Sequence, residues 1–413
     1  MRLKIFVTVF LIYLFYAAPN FTSANTTRYF ELTKSIVKNK SFEIDPASTM
    51  DKAFYKGRCY ISAAPGLSFM AVPVYYFMRG MDTETIQMIY IVLFSCLPAA
   101  LIPVMLYEIL GRYTEGRKRL LIVFVGAFGT TLFFYSTRFM CHASSTFFIF
   151  AGFYFLLKEK KTFLAGISTG MAVLTNYLLL IGAAIFLFYI IITRKGLLKF
   201  ILGAAPFALM FMYYHWRCFD NPFSIGDVTT YAVLNGPHSL AMPRLKVMYE
   251  MTFGGYRGLF SYMPVLALSV YGIFKIKGIE KWLIASFSLS VFFLVAGLHF
   301  WEGGLSFGPR HIISIVPFLI VPLAGVNYKL IYTFGAVSIF INWCGVQYGE
   351  ASVFYTNVTT FLARGMNSPL FAWIYSLVHG EGARYESYSP LAPFALLIFL
   401  IFLLWRSGGN PEL

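Results

Sequence analysis

Asp45 and Asp51, with Glu31 upstream of them, stand in a polar stretch near the start of the chain, NTTRYFELTKSIVKNKSFEIDPASTMDKAFYKG, residues 25 to 57. A second group, LHFWEGGLSFGPRH (298 to 311), places Glu302 and the closely spaced Gly303, Gly304 and Gly308 ahead of Pro309, Arg310 and His311. Further cations come from Arg138 and His142 in STRFMCHAS, Arg257 in GGYRGLF and Arg217 in HWRCFDNPFS. A carboxylate can take the proton of a hydroxyl or amine as that group attacks a carbon, while cations steady a phosphate departing from the same carbon. Glycosyl transfer from a sugar phosphate requires both parts. Asp51 and Asp45 are the candidate bases. Arg310 and His311, just after a helix-starting proline where backbone N–H groups favour an anion, are the first candidate phosphate ligands. Arg138 and Arg257 are further ones, and Arg28, Tyr29, His142 and Glu302 are candidates for binding substrate.

Each candidate also has a structural reading. Asp45 precedes Pro46, a common start of a turn; Asp51 follows Thr49 at a point where a helix could begin; Arg310 could anchor its loop at lipid headgroups; His142 at a helix start could be a structural hydrogen-bonding group. The five cysteines are scattered without CxxC spacing, so neither a zinc set nor a disulfide framework is indicated. No cofactor is indicated either; a divalent metal is left open.

The elements that position these residues are membrane helices. Of 413 residues 58% are hydrophobic and 12% charged, and mean hydropathy is +0.69, far from a soluble domain. The net charge of +15 would suggest nucleic acid in a soluble protein, but here it divides by membrane side. GRYTEGRKR (111 to 119), KEKK (158 to 161), RKGLLK (194 to 199), KIKGIEK (275 to 281), Lys329 and Arg406 read as cytoplasmic turns. The run from Thr162 to Thr193, about 48 Å as a helix, exceeds one crossing of a core about 30 Å thick and reads as a hairpin turning at Thr175, Asn176 and Tyr177. Residues 65 to 78 break the parity if counted as a crossing, so they are laid in the outer interface.

The reading is an all-α polytopic protein forming one integral domain, with twelve crossings near residues 4–19, 84–110, 119–136, 142–158, 162–177, 178–193, 198–215, 258–275, 282–299, 311–327, 330–347 and 390–405. The first is read as a retained helix rather than a cleaved signal peptide. Residues 1–215 form a core and 258–413 a variable set of helices. Long outer loops span 20–83, 216–257 and 348–389, and 13 of the 18 carboxylates fall on this outer side. Four glycosylation sequons, at Asn20, Asn25, Asn39 and Asn357, do so as well. Within 25–40 the spacing of Tyr29, Leu32, Ile36 and Val37, with Arg28, Lys34 and Lys38 between them, predicts an amphipathic helix on the membrane. No crossing carries a charge at its midpoint, which argues against an ion-coupled transporter.

On these residues the chain resembles the GT-C superfamily of membrane glycosyltransferases, in particular the family 39-like branch of protein O-mannosyltransferases and aminoarabinose transferases. Arg28 and Tyr29 match the end of that family's Asp-Glu-x-Arg-Tyr, while Asn25 stands where its Asp does, so the base passes to Asp51 or Asp45. Tyr60, Pro65 and Gly66 resemble the family's entry into a juxtamembrane helix, with Ala63 or Ala64 in place of the usual Lys. Arg138 and His142 resemble its Arg and acidic residue between the third and fourth helices. The resemblance implies a GT-C-like fold with juxtamembrane helices in the first outer loop. It also implies an inverting hexosyl- or pentosyltransferase that takes a polyprenyl-phosphate sugar and hands it to a glycan, lipid or protein acceptor at the non-cytoplasmic face. The membrane would be the plasma membrane, or the endoplasmic reticulum in a eukaryote. A flippase for a lipid-linked solute and a non-catalytic subunit of a glycan-assembly complex are the alternatives.

Overall fold

The computed structural model describes residues 1–19, 23–49, 51–158, 161–194, 196–224, 240–304, 306–349, 353–379 and 389–406. Asn20 lies outside them. The helices are α1 Arg2–Phe15, α2 Ala24–Asn39, α3 Gly66–Met78, α4 Thr83–Leu110, α5 Gly116–Phe128, α6 Cys141–Leu156, α7 Thr162–Thr175 and α8 Tyr177–Thr193. They continue as α9 Leu197–Phe219, α10 Leu245–Thr252, α11 Pro264–Lys275, α12 Glu280–Ala296, α13 Arg310–Gly325, α14 Tyr328–Tyr348, α15 Phe354–Arg364, α16 Pro369–His379 and α17 Leu391–Arg406.

Helices cover every predicted crossing, but the count of twelve does not follow from length. Three described helices, α4, α9 and α14, are both long and apolar enough to cross a bilayer, and the other apolar helices have 10 to 17 residues. The run from 162 to 193 divides at Asn176, whose side chain accepts from the Leu178 N–H at 3.2 Å. Close packing of helices without a water-driven hydrophobic effect needs small residues at the seam. At the α7–α9 seam Gly166 and Gly203 supply them: a Cβ on either would collide with a backbone carbonyl of the facing helix.

Polar contacts bring the basic turns to one end of the bundle. Arg2 pairs with Glu108 at 2.9 Å, Lys158 pairs with the same carboxylate, and Arg112 pairs with Glu280 at 2.9 Å. Lys118 reaches the Ala324 carbonyl at 2.7 Å and Lys4 the Trp405 carbonyl at 3.2 Å. The helix α1 is built into the bundle, its Tyr13 hydroxyl donating to the Ala127 carbonyl at 2.9 Å.

The chain is mostly helical, with one exception: β1 (Lys52–Tyr55) and β2 (Arg58–Ile61) pair as an antiparallel hairpin, where a helix start after Thr49 was the alternative reading of Asp51. Lys56 and Gly57 both take positive φ there, the two-residue turn whose twist suits a hairpin. The loop 348–389 holds the helices α15 and α16. Among the sequons, Asn25 and Asn357 are buried and so are not open acceptors, while Asn39 is exposed. The predicted helix over 25–40 is present as α2 and is built into the protein: Tyr29, Leu32 and Val37 are buried in the core, and α2 packs against α3.

Candidate functional site

At the end of the bundle away from the basic turns, four chain segments meet. The first is α2 with the hairpin docked on it. Thr49 donates to the Ala24 carbonyl at 3.4 Å and its hydroxyl meets that of Thr27 at 3.3 Å, fixing the strand entry beside the helix start. Asp51 is thereby set against Arg28, with Nη1 to Oδ2 at 3.2 Å. Arg28 also donates to the Tyr29 hydroxyl at 3.3 Å and lies over its ring. The Asp51 side chain keeps 34% of its surface exposed, so an incoming group can reach it. Asp45 lies elsewhere: it is exposed, and its Oδ1 accepts from the Ala47 N–H at 2.8 Å, closing a turn. Glu31 is taken up by Lys34 at 3.3 Å.

The second segment is the 136–142 turn. A π-helical turn at Val92–Cys96 inside α4 holds it, Ser95 donating to the Arg138 carbonyl at 2.7 Å and Cys96 to the Ser136 carbonyl at 3.1 Å. The Arg138 guanidinium is committed to the Tyr16, Thr137 and Val346 carbonyls and the Thr137 hydroxyl, at 2.8 to 3.4 Å, and so joins the ends of α1 and α14 to this turn. His142 packs edge-on against Tyr135, with ring centres 4.8 Å apart, and Tyr135 donates to the Phe307 carbonyl at 2.9 Å.

The third and fourth segments are the glycine-rich strap, residues 302–304 and 306–308, and Arg257, which holds it. Arg257 is 1% exposed. It donates to the carbonyls of Glu302 (2.8 Å), Tyr256 (2.9 Å), Ser306 (3.0 Å) and Gly304. Its donors are directed at backbone carbonyls, as most of those of Arg138 are.

Arg310 differs. It is 7% exposed, and its Nε and Nη1 are buried with no hydrogen-bond partner among the described residues. His311 Nε2, His142 Nδ1 and Glu302 Oε2 are in the same condition. Burial pushes the Arg310 guanidinium below its ordinary pKa and the Arg28 charge adds to this, while Tyr135 and Asp51 act in the opposite sense. Arg28, Asp51 and Tyr135 are therefore each within electrostatic reach of Arg310. The strap crosses directly over this pair: a Cβ at Gly303, φ +71°, would collide with Arg310 Nε and stand 2.8 Å from His311 Nε2. The helix start after Pro309 is a 3-10 turn, Arg310–Ile315, rather than a full α-helix, so attraction for an anion rests on side chains more than on a helix dipole. Arg217 sits in the last turn of α9, and no contact among the described residues draws it into this cluster.

Sequence reasoning missed Tyr135 and Thr49. Nothing in the spacing marks Tyr135; Thr49 could have been found from the Thr27–Thr49 pairing only with the hairpin in view. Two buried atoms of α2, Asn25 Oδ1 and Thr26 Oγ1, also have no partner among the described residues, at the position where the family carries its carboxylate. Among the described residues no three His, Cys, Asp or Glu side chains converge as a metal site.

No protein family and no curated protein matches the sequence. Solved structures do. ArnT from Cupriavidus metallidurans in the apo state superposes with a TM-score of 0.55 at 12% identity, over 97% of this chain and 72% of that one. The same protein bound to undecaprenyl phosphate gives 0.51 at 12% identity, over 79% and 59%. The Archaeoglobus fulgidus oligosaccharyltransferase in the apo form gives 0.52 at 13% identity, over 88% and 54%. This chain thus spans little more than half of the oligosaccharyltransferase and 59% to 72% of ArnT. At such identities the likeness is one of fold, and the GT-C-like fold is the one this chain has.

Proposed function

We propose, starting from the GT-C-like fold that this chain shares with those membrane glycosyltransferases, that it moves a sugar from a polyprenyl-phosphate donor to an acceptor at the non-cytoplasmic face, with inversion. The observation that carries the reading is the convergence of the Arg28–Asp51 pair on a buried guanidinium with unpartnered donors, Arg310. Asp51 takes the acceptor proton, the acceptor oxygen or nitrogen bonds to the sugar C1, the C1–O bond to phosphate breaks, and the polyprenyl phosphate leaves with both electrons. Arg310 and His311 receive that phosphate, where charge-assisted bonds in a dry site are worth most. Arg28 bonds one Asp51 oxygen and keeps the carboxylate oriented. Tyr29, His142 and Glu302 line the substrate side, and Arg138 and Arg257 fix the two turns. The role of base goes to Asp51 rather than Asp45 because the latter is spent on its own turn.

The amide at Asn25 favours one other reading, a non-catalytic subunit that binds the donor without consuming it. Reconstituted vesicles with a polyprenyl-phosphate sugar separate the two. Transfer should release free polyprenyl phosphate and glycosylated acceptor, and Asp51→Asn should slow this by about 10²- to 10⁴-fold, the usual contribution of a positioned base. Arg310→Ala should abolish donor binding. Binding without turnover by the wild-type protein establishes the subunit reading, and a wild-type rate in Asp51→Asn removes that residue from the mechanism.

A further inference from the structure

An apolar groove of about 240 Å³ runs between α4, α6 and α7, in the half of the bundle remote from the site. Leu101, Val104, Phe147, Phe155 and Ile167 line it and are each half-buried, so it opens sideways to whatever surrounds the bundle. From Phe147 to Phe155 it follows α6 for about 12 Å at 1.5 Å per residue. Its lower end is polar. Tyr154, also in the lining, donates to Glu108 at 2.5 Å, and the ammonium of Lys158 bonds both groups. Arg2 pairs with the other Glu108 oxygen at 2.9 Å, its side chain 68% exposed. Beside them Arg112 bonds Glu280 and covers the Leu157 carbonyl at 2.8 Å, the C-terminal end of α6 that would otherwise repel an anion. Three cations meet two carboxylates here, which leaves one positive charge at the mouth of a hydrocarbon-sized slot.

We propose that this groove holds an acyl chain of an anionic phospholipid whose phosphate rests on Arg2 and Lys158. An apolar groove open to a bilayer fills with hydrocarbon, and the excess charge selects the headgroup, since basic residues near the surface attract anionic lipid. The site rests on the chain being a membrane protein and is independent of the transfer reaction at the other end.

The test uses the full chain, extracted from vesicles of phosphatidylglycerol and phosphatidylcholine in equal amounts, with retained lipid identified by native mass spectrometry. One phosphatidylglycerol should stay bound in preference to phosphatidylcholine. Arg2→Gln should weaken this about fivefold, from roughly 1 kcal/mol per basic residue near a charged surface. Ile167→Trp, which fills the groove, should abolish it. Glu108→Gln should strengthen it, whereas a general loosening of the ion-pair cluster would lower retention in every variant. Thermal unfolding in phosphatidylcholine alone reports whether each variant folds. Equal retention of both lipids, retention of polyprenyl phosphate instead, or phosphatidylglycerol retention unchanged in folded Arg2→Gln and Ile167→Trp overturns the proposal.

Discussion

Replacing Arg257 by lysine keeps the charge and should still disable the site. The guanidinium spans four carbonyls, those of Glu302, Gly304 and Ser306 in the strap and that of Tyr256 in its own loop. An ammonium offers three donors from a single point and cannot reproduce the fork. With two acceptors left buried and unmade at about 1 to 3 kcal/mol each, the ordered strap loses about 2 to 6 kcal/mol. Because tenfold corresponds to 1.36 kcal/mol, the strap's ordered population falls by roughly 30-fold or more relative to its open forms. The strap carries Glu302 and lies across Arg310, so kcat/KM for the donor should fall, by about 30-fold where ordered and open forms of the wild-type strap are near balance. The thermal midpoint, set by the bundle, should barely move. Initial rates of transfer in vesicles at several donor concentrations, with a thermal unfolding curve for each preparation, measure both. A folded Arg257→Lys protein with wild-type kcat/KM would refute the strap argument. A loss that added salt deepens steeply would instead return Arg257 to the phosphate.

Gly303→Ala should raise the donor KM several-fold and lower the unfolding midpoint by only about a few degrees, because a Cβ at φ +71° collides with Arg310 Nε and its backbone costs about 1 to 2 kcal/mol; a donor titration checks it. Asp45→Ala should leave transfer within about twofold of wild type, since exposed substitutions that break only a local turn usually cost under about 1 kcal/mol; loss of transfer in a folded Asp45→Ala protein would move the base to that residue.

The apolar helical segments were legible because hydropathy and the spacing of basic turns act over whole segments, and the 162–193 run had to divide somewhere near Asn176; the number of crossings was not, since only α4, α9 and α14 among the described helices are long and apolar enough to span a bilayer. The hairpin was not, although its signal was present. Lys52 to Tyr55 and Arg58 to Ile61 flank Lys56-Gly57, an x-Gly turn, but each run is four residues long and sits in a segment with strong helical alternatives. Arg138 and Arg257 show the limit of reading charge from sequence. Both stand in glycine- or serine-rich turns as phosphate ligands would, and only the fold reveals that carbonyls of 16, 137 and 346, or of 302, 304 and 306, already occupy them. Those partners lie up to 208 residues away, beyond any local pattern.

The charge balance of the site separates its arginines by role. Arg28 has Asp51 as a counter-ion at 3.2 Å, and Arg138 and Arg257 have carbonyl cages. Arg310 has neither a carboxylate within ion-pair distance nor an acceptor for two of its nitrogens among the described residues, although it is 7% exposed. A buried ion without a partner costs several kcal/mol, so a fold can carry one only if the rest of the bundle absorbs the deficit or a ligand relieves it. The phosphate monoanion of the donor relieves it, by charge and by hydrogen bonds to Nε and Nη1 together, and a neutral acceptor does not. The lipid phosphate should therefore bind before the acceptor and shift the strap at Gly303, because Gly303 cannot stay on Arg310 Nε once an oxygen takes that place.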